Sequence, residues 1–368
     1  MKKKGFTLIE LLAVIVILAI IALIAVPVIM NIISSARKSS FEDTAYGIIS
    51  AGELYYAEKL LEPNGMTSDA EFTFTNGRVT PTGLNVKGSL PKSGSMVVTK
   101  EGKIAIAITN GELCITKGYD DSKIETLEEF ESCDLPAKKL SELVKTNDFA
   151  ESVDACATSG TCSSGTPFAI EVAPGNIQNF YVISDVNNVV TLIMDRNIGN
   201  TVAWITQGDY NDDDSWEVCY EEGTIEEWCE YGNSNKGPIT ALNYLEIQTS
   251  GWTNIEAKNY TLTDDNTTPK YTIERTGARA RMLTKTEALA VGCSGWYDGD
   301  EATCPDWLYG NLDDNAVPWG YWTSFADADT THLVWFVEND GSMNLTDPEY
   351  GYYDGYYYGV RPVIEVSK

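Results

Sequence analysis

Between Phe6 and Met30 the only ionisable side chain is Glu10, and from Leu11 to Val26 no side chain is polar. As a helix rising about 1.5 Å per residue, that run spans about 37 Å, enough to cross a hydrocarbon core of about 30 Å. Lys2, Lys3 and Lys4 precede it. Such a cluster keeps its end cytoplasmic, so everything beyond residue 30 is expected outside. Two ordinary readings compete for a start of this kind, a cleaved secretory signal peptide and a plain signal anchor. A signal peptide wants an A-x-A cleavage site, which Ala22, Ala25 and Pro27 do not supply. Neither reading explains Glu10. A charge inside a membrane segment costs about 2.5–3.5 kcal/mol at the centre and less near an end, so it normally has a partner.

The remaining composition narrows the classes. The chain of 368 residues has 26 basic and 54 acidic side chains, a net charge of −28. A surface of that sign disfavours nucleic acid, because phosphate binding relies on Lys and Arg. One histidine, His332, leaves little room for His-based catalysis or His-rich metal sites. Eight cysteines without a C-x-x-C pair point to oxidised bridges in an exported protein.

The segment Lys4-Gly5-Phe6-Thr7-Leu8-Ile9-Glu10-Leu11-Leu12 resembles the processing motif of type IV prepilins and pseudopilins. The resemblance implies that a prepilin peptidase cuts between Gly5 and Phe6 on the cytoplasmic side and that Phe6 is N-methylated. The cut resolves the Glu10 problem physically. It creates an amine at Phe6 that can pair with the Glu10 carboxylate of a neighbouring subunit in an apolar bundle. A buried carboxylate is costly alone and tolerable when paired, so the charge favours assembly in one register.

Pro27 is expected to kink the helix, since it lacks an N–H and crowds the preceding turn. Beyond it Phe41, Ala45, Ile48, Gly52 and Tyr55 recur at spacings of three and four, which puts them on one helical face. One long helix is therefore read over residues 6–61, with 6–30 transmembrane, ended by Pro63-Asn64-Gly65. Residues 1–5 are the leader. Alternating runs at 71–75, 96–99, 103–109 and 112–116, with Asn110-Gly111 as a turn, give a β-rich head over 62–135, read as a three-strand antiparallel meander on the helix. The pilin resemblance implies a bridge between Cys114 and Cys133 closing the end of this head.

Residues 136–165 read as a linker, with Thr158-Ser159-Gly160-Thr161-Cys162-Ser163-Ser164-Gly165 as its loosest part and Cys156 and Cys162 as a local staple. All nine tryptophans lie beyond residue 200, which marks a second folded unit over 166–368. In it, 180–184 and 189–194 read as a hairpin, 239–250 and 284–291 as helices, and 331–337 and 360–366 as strands. Cys219 with Cys229 and Cys293 with Cys304 are spaced for local loops. Eight cysteines permit 105 pairings, and nearest-neighbour pairing is the reading taken.

The pieces Asp195-Arg196-Asn197, Ala280-Arg281-Met282-Leu283, Gly320-Tyr321-Trp322-Thr323-Ser324 and Gly359-Val360-Arg361-Pro362 resemble C-type-lectin-like domains of the sulfatase-modifying-factor type. In such a fold Arg281 and Arg361 are expected to pair with buried carboxylates rather than serve a ligand. Asp209, Asn211 and Asp213 offer oxygens suited to Ca²⁺, although Asp214 and Tyr220 stand where an EF-hand loop needs Gly and Glu, and a solvated acidic loop is the plainer reading. The tyrosine run 350–358 offers either stacking faces or internal packing.

Together these readings describe an α+β chain, a long transmembrane and filament helix on a small antiparallel sheet followed by an irregular Trp-rich C-type-lectin-like domain. The expected role is structural: a minor or tip subunit of a type IV pilus-like filament with an adhesin module, or alternatively a pseudopilin of a type II secretion-like or competence apparatus. Expected partners are the prepilin peptidase, other pilin subunits, the membrane, and a surface glycan or protein, with no nucleic acid. The chain would cross the cytoplasmic membrane once before assembly and then sit in an extracellular pilus. No nucleophile–base constellation is recognisable, so no enzyme is expected, and no cofactor beyond Ca²⁺ suggests itself.

Overall fold

The computed structural model of the chain describes residues 8–210, 217–220, 228–264, 268–293, 304–312, 318–328, 330, 332–348 and 358–368; at 10, 217–220 and 228–231 it describes the backbone alone. The chain divides into two compact units, residues 1–136 and 137–368.

The first unit opens with α1 (Leu8–Leu60), which is helical on both sides of Pro27. Proline has no N–H, so the Leu23 carbonyl lacks its usual donor four residues on. Helix α1 gives way to a turn in which the N–H of Leu61 donates to the Glu58 carbonyl and Gly65 adopts a φ of +60°. Strands β1 (Ala70–Thr75), β2 (Arg78–Thr80), β3 (Ser93–Val98), β4 (Ile104–Thr109), β5 (Cys114–Lys117) and β6 (Glu125–Leu127) form one antiparallel sheet in the order β2-β1-β3-β4-β5-β6. The sheet has six strands where the sequence suggests a three-strand meander. The added edges, β2 and β6, have three residues each and bury none of them, so they carry no apolar alternation to read.

The spacing of three and four on α1 does what it predicts: Phe41, Ala45 and Ile48 are buried against the sheet. Phe72, Met96 and Ile106 are register partners across β1, β3 and β4, and all are buried there too. Gly52 permits the close approach. A Cβ on it would lie 3.0 Å from Ile104 Cδ1 and 3.1 Å from Met96 Sδ. Tyr55 closes the interface edge-on against Phe72 at 5.0 Å. A disulfide joins Cys114 to Cys133, with Cα atoms 5.7 Å apart.

The second unit begins earlier than the composition suggests. Helix α2 (Leu140–Leu143), strand β7 (Val144–Lys145) and a 3-10 turn at Ala155–Ala157 belong to it, so the expected linker over 136–165 is corrected. Leu140, Leu143 and Ala157 are buried in its core, and a Cys156–Cys162 disulfide secures the loop. These anchors sit on elements of two to four residues among Ser, Thr and Gly, too short to show a period.

Next come β8 (Pro167–Ala173), β9 (Asn176–Val186) and β10 (Val189–Met194), followed by α3 (Gln207–Tyr210), β11 (Glu217–Tyr220), β12 (Trp228–Tyr231), α4 (Ile239–Thr249), β13 (Lys258–Thr263), β14 (Thr272–Ala278), α5 (Lys285–Ala290) and α6 (Asp306–Tyr309). Strands β15 (Gly320–Ala326), β16 (Val334–Glu338), β17 (Met343–Thr346), β18 (Tyr358–Gly359) and β19 (Val363–Ser367) complete it. The main sheet has the order β19-β10-β9-β8-β7 and is antiparallel throughout. Asn187 and Asn188, both with positive φ, make the tight turn between β9 and β10. A second sheet, β17-β16-β15-β18, ends on the parallel pair β15 and β18.

Two tryptophans join these regions. The Trp204 indole N–H donates to the Thr323 carbonyl at 2.9 Å, and the Trp322 N–H donates to the Val202 carbonyl at 2.7 Å. Both side chains are fully buried, so each indole needs this acceptor.

Candidate functional site

The first candidate is α1 itself. Leu8, Ile9, Leu11, Leu12 and every large apolar side chain from Val14 to Ile33 are exposed, Leu8 at 86% and Ile33 at 44%. Unpartnered apolar surface of this extent marks an interaction segment, because single exposed leucines are ordinary but contiguous patches are not. By length and composition α1 qualifies to cross a membrane, and none of its most apolar window is buried. From Phe41 to Ala51 the same helix buries its face on the sheet. One helix thus serves two environments in succession. Gly5 and Phe6 lie outside the described residues, and Glu10 is placed by backbone only, within the first turn of α1.

The cysteines expected to pair locally form three disulfides, Cys114–Cys133, Cys156–Cys162 and Cys293–Cys304, the last with Cα atoms 4.0 Å apart. Cys219 and Cys229 stand opposite each other in the ladder of β11 and β12. Of the residues considered for Ca²⁺, Asn211 and Asp213 lie outside the described residues. Asp209 accepts a hydrogen bond from Thr240 Oγ1. Among the described residues no three His, Cys, Asp or Glu side chains converge on a metal position. Of the tyrosine run, residues 350–357 lie outside the description, and Tyr358 packs in the core against Trp322 at 4.8 Å.

The two arginines singled out in the sequence behave differently. Arg281 pairs with carboxylates: Nη2 donates to Glu287 at 2.6 Å and to Glu365 at 2.9 Å, and Nη1 to Glu287 at 2.8 Å. Burial alone would lower the Arg281 pKa, but the Glu287 hydrogen bonds and charge, joined by Glu365, carry it above its ordinary value. Glu287 is moved the opposite way. Burial would raise it, and Arg281 holds it below the usual carboxylate range. This cluster ties α5 to β19.

Arg361 corrects the expectation of a carboxylate partner. It is 1% exposed, its Nη1 donates to the Leu308 carbonyl, and its guanidinium stacks 4.5 Å from the Tyr321 ring centroid. Asp195, whose charge reaches Arg361, is taken by Arg196, whose Nε and Nη2 donate to its two oxygens at 2.9 and 2.7 Å. Nε and Nη2 of Arg361 have no hydrogen-bond partner among the described residues. Burial pushes Arg361 below its ordinary pKa, and it pushes the Tyr321 hydroxyl up. The sequence signal for this arrangement was Asp195-Arg196 itself, an acid followed by a base long enough to fold back on it.

Comparison with known proteins bears on the N-terminus. Residues 1–26 match the family model described as the prokaryotic N-terminal methylation motif. No curated protein and no solved structure matches the chain. The motif implies cleavage by a prepilin peptidase, membrane anchoring and assembly with other pilins. With the long apolar helix behind it and antiparallel sheets after it, the motif supports a type IV pilin-like or pseudopilin subunit, and the architecture is α+β.

Proposed function

We propose that the chain is a minor or tip subunit of a type IV pilus-like filament, and that residues 137–368 are carried at its surface as a binding module. The observation that supports this reading is the division of labour along α1. An exposed apolar stretch over 8–33 leads into a face that already has its sheet, which leaves the first stretch for neighbouring subunits. The added unit of residues 137–368 has its own apolar core and sheets, more than a filament subunit needs for packing alone. A C-type-lectin-like fold for this module belongs to the same proposal.

The test is filament recovery. Sheared surface filaments from producing cells are expected to contain the chain, and Glu10→Ala is expected to leave membrane insertion intact while reducing its incorporation. Protein confined to the membrane, with no filaments, would favour the pseudopilin. Unchanged incorporation of the Glu10→Ala chain would remove the pairing argument.

A further inference from the structure

An open depression of about 500 Å³ lies in the second unit, where the end of β10 meets β9 and the loop after β7. Its floor is Asp195, which is 1% exposed. Besides Arg196, the carboxylate accepts from Asn311 Nδ2 at 3.2 Å and from Asn179 Nδ2 at 3.4 Å. Asn179 in turn accepts from Asn147 Nδ2 at 2.8 Å. Asn147 Oδ1 caps its own loop by accepting the N–H groups of Phe149 and Ala150 at 3.0 and 2.9 Å. The amides are therefore held in fixed orientations before any ligand arrives, which lowers the ordering cost of binding.

One wall is aromatic. Phe149 meets Tyr181 edge-on at 4.9 Å, and Tyr181 meets Trp307 at 5.5 Å. Phe149 and Tyr181 line the depression. The groups left over are of both kinds. Tyr181 Oη, Asp148, Arg196 Nη1 and Asn311 Oδ1 make no hydrogen bond among the described residues. Tyrosine both donates and accepts, arginine only donates, and the carboxylate and amide oxygens accept. The charges balance locally: Asp148 and Asp195 stand against Arg196 and the buried Arg361, which lies within electrostatic reach of Asp195 and Tyr181. The unit around them carries 37 acidic and 13 basic residues, a field that repels anions.

We infer that this depression binds a neutral saccharide, whose C–H faces lie on the Phe149–Tyr181 wall and whose hydroxyls meet the mixed donors and acceptors beside Asp195. An acidic sugar is disfavoured by the unit's charge. A cation gains little from Asp195, because Arg196 already compensates it. The inference rests on the reading of residues 137–368 as a surface-binding module and names its ligand class.

The test uses the full chain in lauryldimethylamine oxide, a detergent without sugar, on an array of neutral and sialylated oligosaccharides. Binding to neutral members is expected, weakened by about tenfold or more in Phe149→Ala and in Asp148→Ala. Asp148 is exposed and makes no hydrogen bond among the described residues, so its variant keeps the fold and isolates the contact. Binding of sialylated members alone, of none, or with equal strength by both variants overturns the inference. So does capture of a neutral peptide in place of every saccharide. Filament incorporation is scored separately, so a chain that enters filaments yet ignores saccharides sinks this inference and leaves the filament reading standing.

Discussion

Residues 1–136 bury one face of a helix on one face of a sheet, whereas residues 137–368 join strands that are far apart in the chain. In the first unit the partners are apolar and near one another in sequence: Met96 and Ile106 face each other in adjacent strands, with Phe41, Ala45 and Ile48 in the same core. In the second, Val189–Ile193 pairs with Val363–Ser367, and buried polar groups join the pieces. Trp204 and Trp322 exchange indole hydrogen bonds with the chain around each other, Asn311 donates to Asp195, and Arg361 donates to Leu308. Charge divides the same way. The first unit has 13 basic and 17 acidic residues, the second 13 and 37. A unit with so much loop and so much negative charge depends more on its few buried polar contacts, because a buried group that loses its partner costs far more than the bond was worth.

The largest expected effect breaks that comparison if it is wrong. Asp195→Ala removes the carboxylate whose charge reaches the buried Arg361 and to which Arg196, Asn179 and Asn311 donate. The exposed Arg196 rehydrates, but the Asn179 and Asn311 donors and the field on Arg361 lose a buried charged group, which costs about 3 kcal/mol. All nine tryptophans belong to the second unit, so denaturant unfolding followed by tryptophan emission reports on it directly. A loss below about 1 kcal/mol, the level of an ordinary surface pair, would mean that the unit does not depend on this polar junction.

The same contrast governs what could be read in advance. The spacing of Phe41, Ala45, Ile48, Gly52 and Tyr55 marks the buried face of α1 because a helix repeats every 3.6 residues, and the apolar run before it is legible by its length alone. The motif at Gly5, Phe6 and Glu10 is likewise written locally. The hairpin of β9 and β10 shows as two apolar runs around Asp185–Asn188, and α5 lies within the helix read over 284–291, its start closed by a Thr284 and Glu287 capping box. The depression at Asp195 does not show. Asn147, Asn179, Asp195 and Asn311 are scattered over more than 160 positions, and each alone looks like a loop residue. The partner of Arg361 was misjudged for a related reason: charge suggested a carboxylate, but Arg196 is closer to Asp195 along the chain and claims it.

A middle-sized effect sharpens the description of the first unit. Gly52 faces Ile104, Met96 and Val98, and a Cβ there would already be at 3.0–3.3 Å from their side chains. Gly52→Ile inserts a branched chain where the helix lies closest to the sheet, and overpacking of this kind costs about 1–3 kcal/mol. Gly52→Ala is expected to be nearly neutral, since the gain in helix propensity of about 1 kcal/mol offsets the crowding. Amide hydrogen exchange of β3 and β4 reads both variants without relying on tryptophan, which the first unit lacks. If the isoleucine is tolerated as well as the alanine, the helix and sheet are not in the close contact that sets this unit apart.

The smallest effect concerns pH and isolates charge from capping within the second unit. Glu287 does two jobs. It completes the capping box of α5, accepting the Thr284 N–H at 3.0 Å while Thr284 Oγ1 accepts its own N–H, and it pairs with Arg281. Because Arg281 depresses the Glu287 pKa in the folded state, the unfolded chain binds a proton there first as pH falls. The stabilisation is therefore present above the ordinary carboxyl value of 4.5 and is lost as pH drops through the lower folded value. Glu287→Gln keeps an acceptor for the cap but removes the charge. Its unfolding midpoint is expected to lie below the parent's at neutral pH, with the gap narrowing as pH falls below about 4.5. A gap that stays constant from neutral to acid conditions would place the value of Glu287 in the cap alone, and Arg281 would then be held by Glu365.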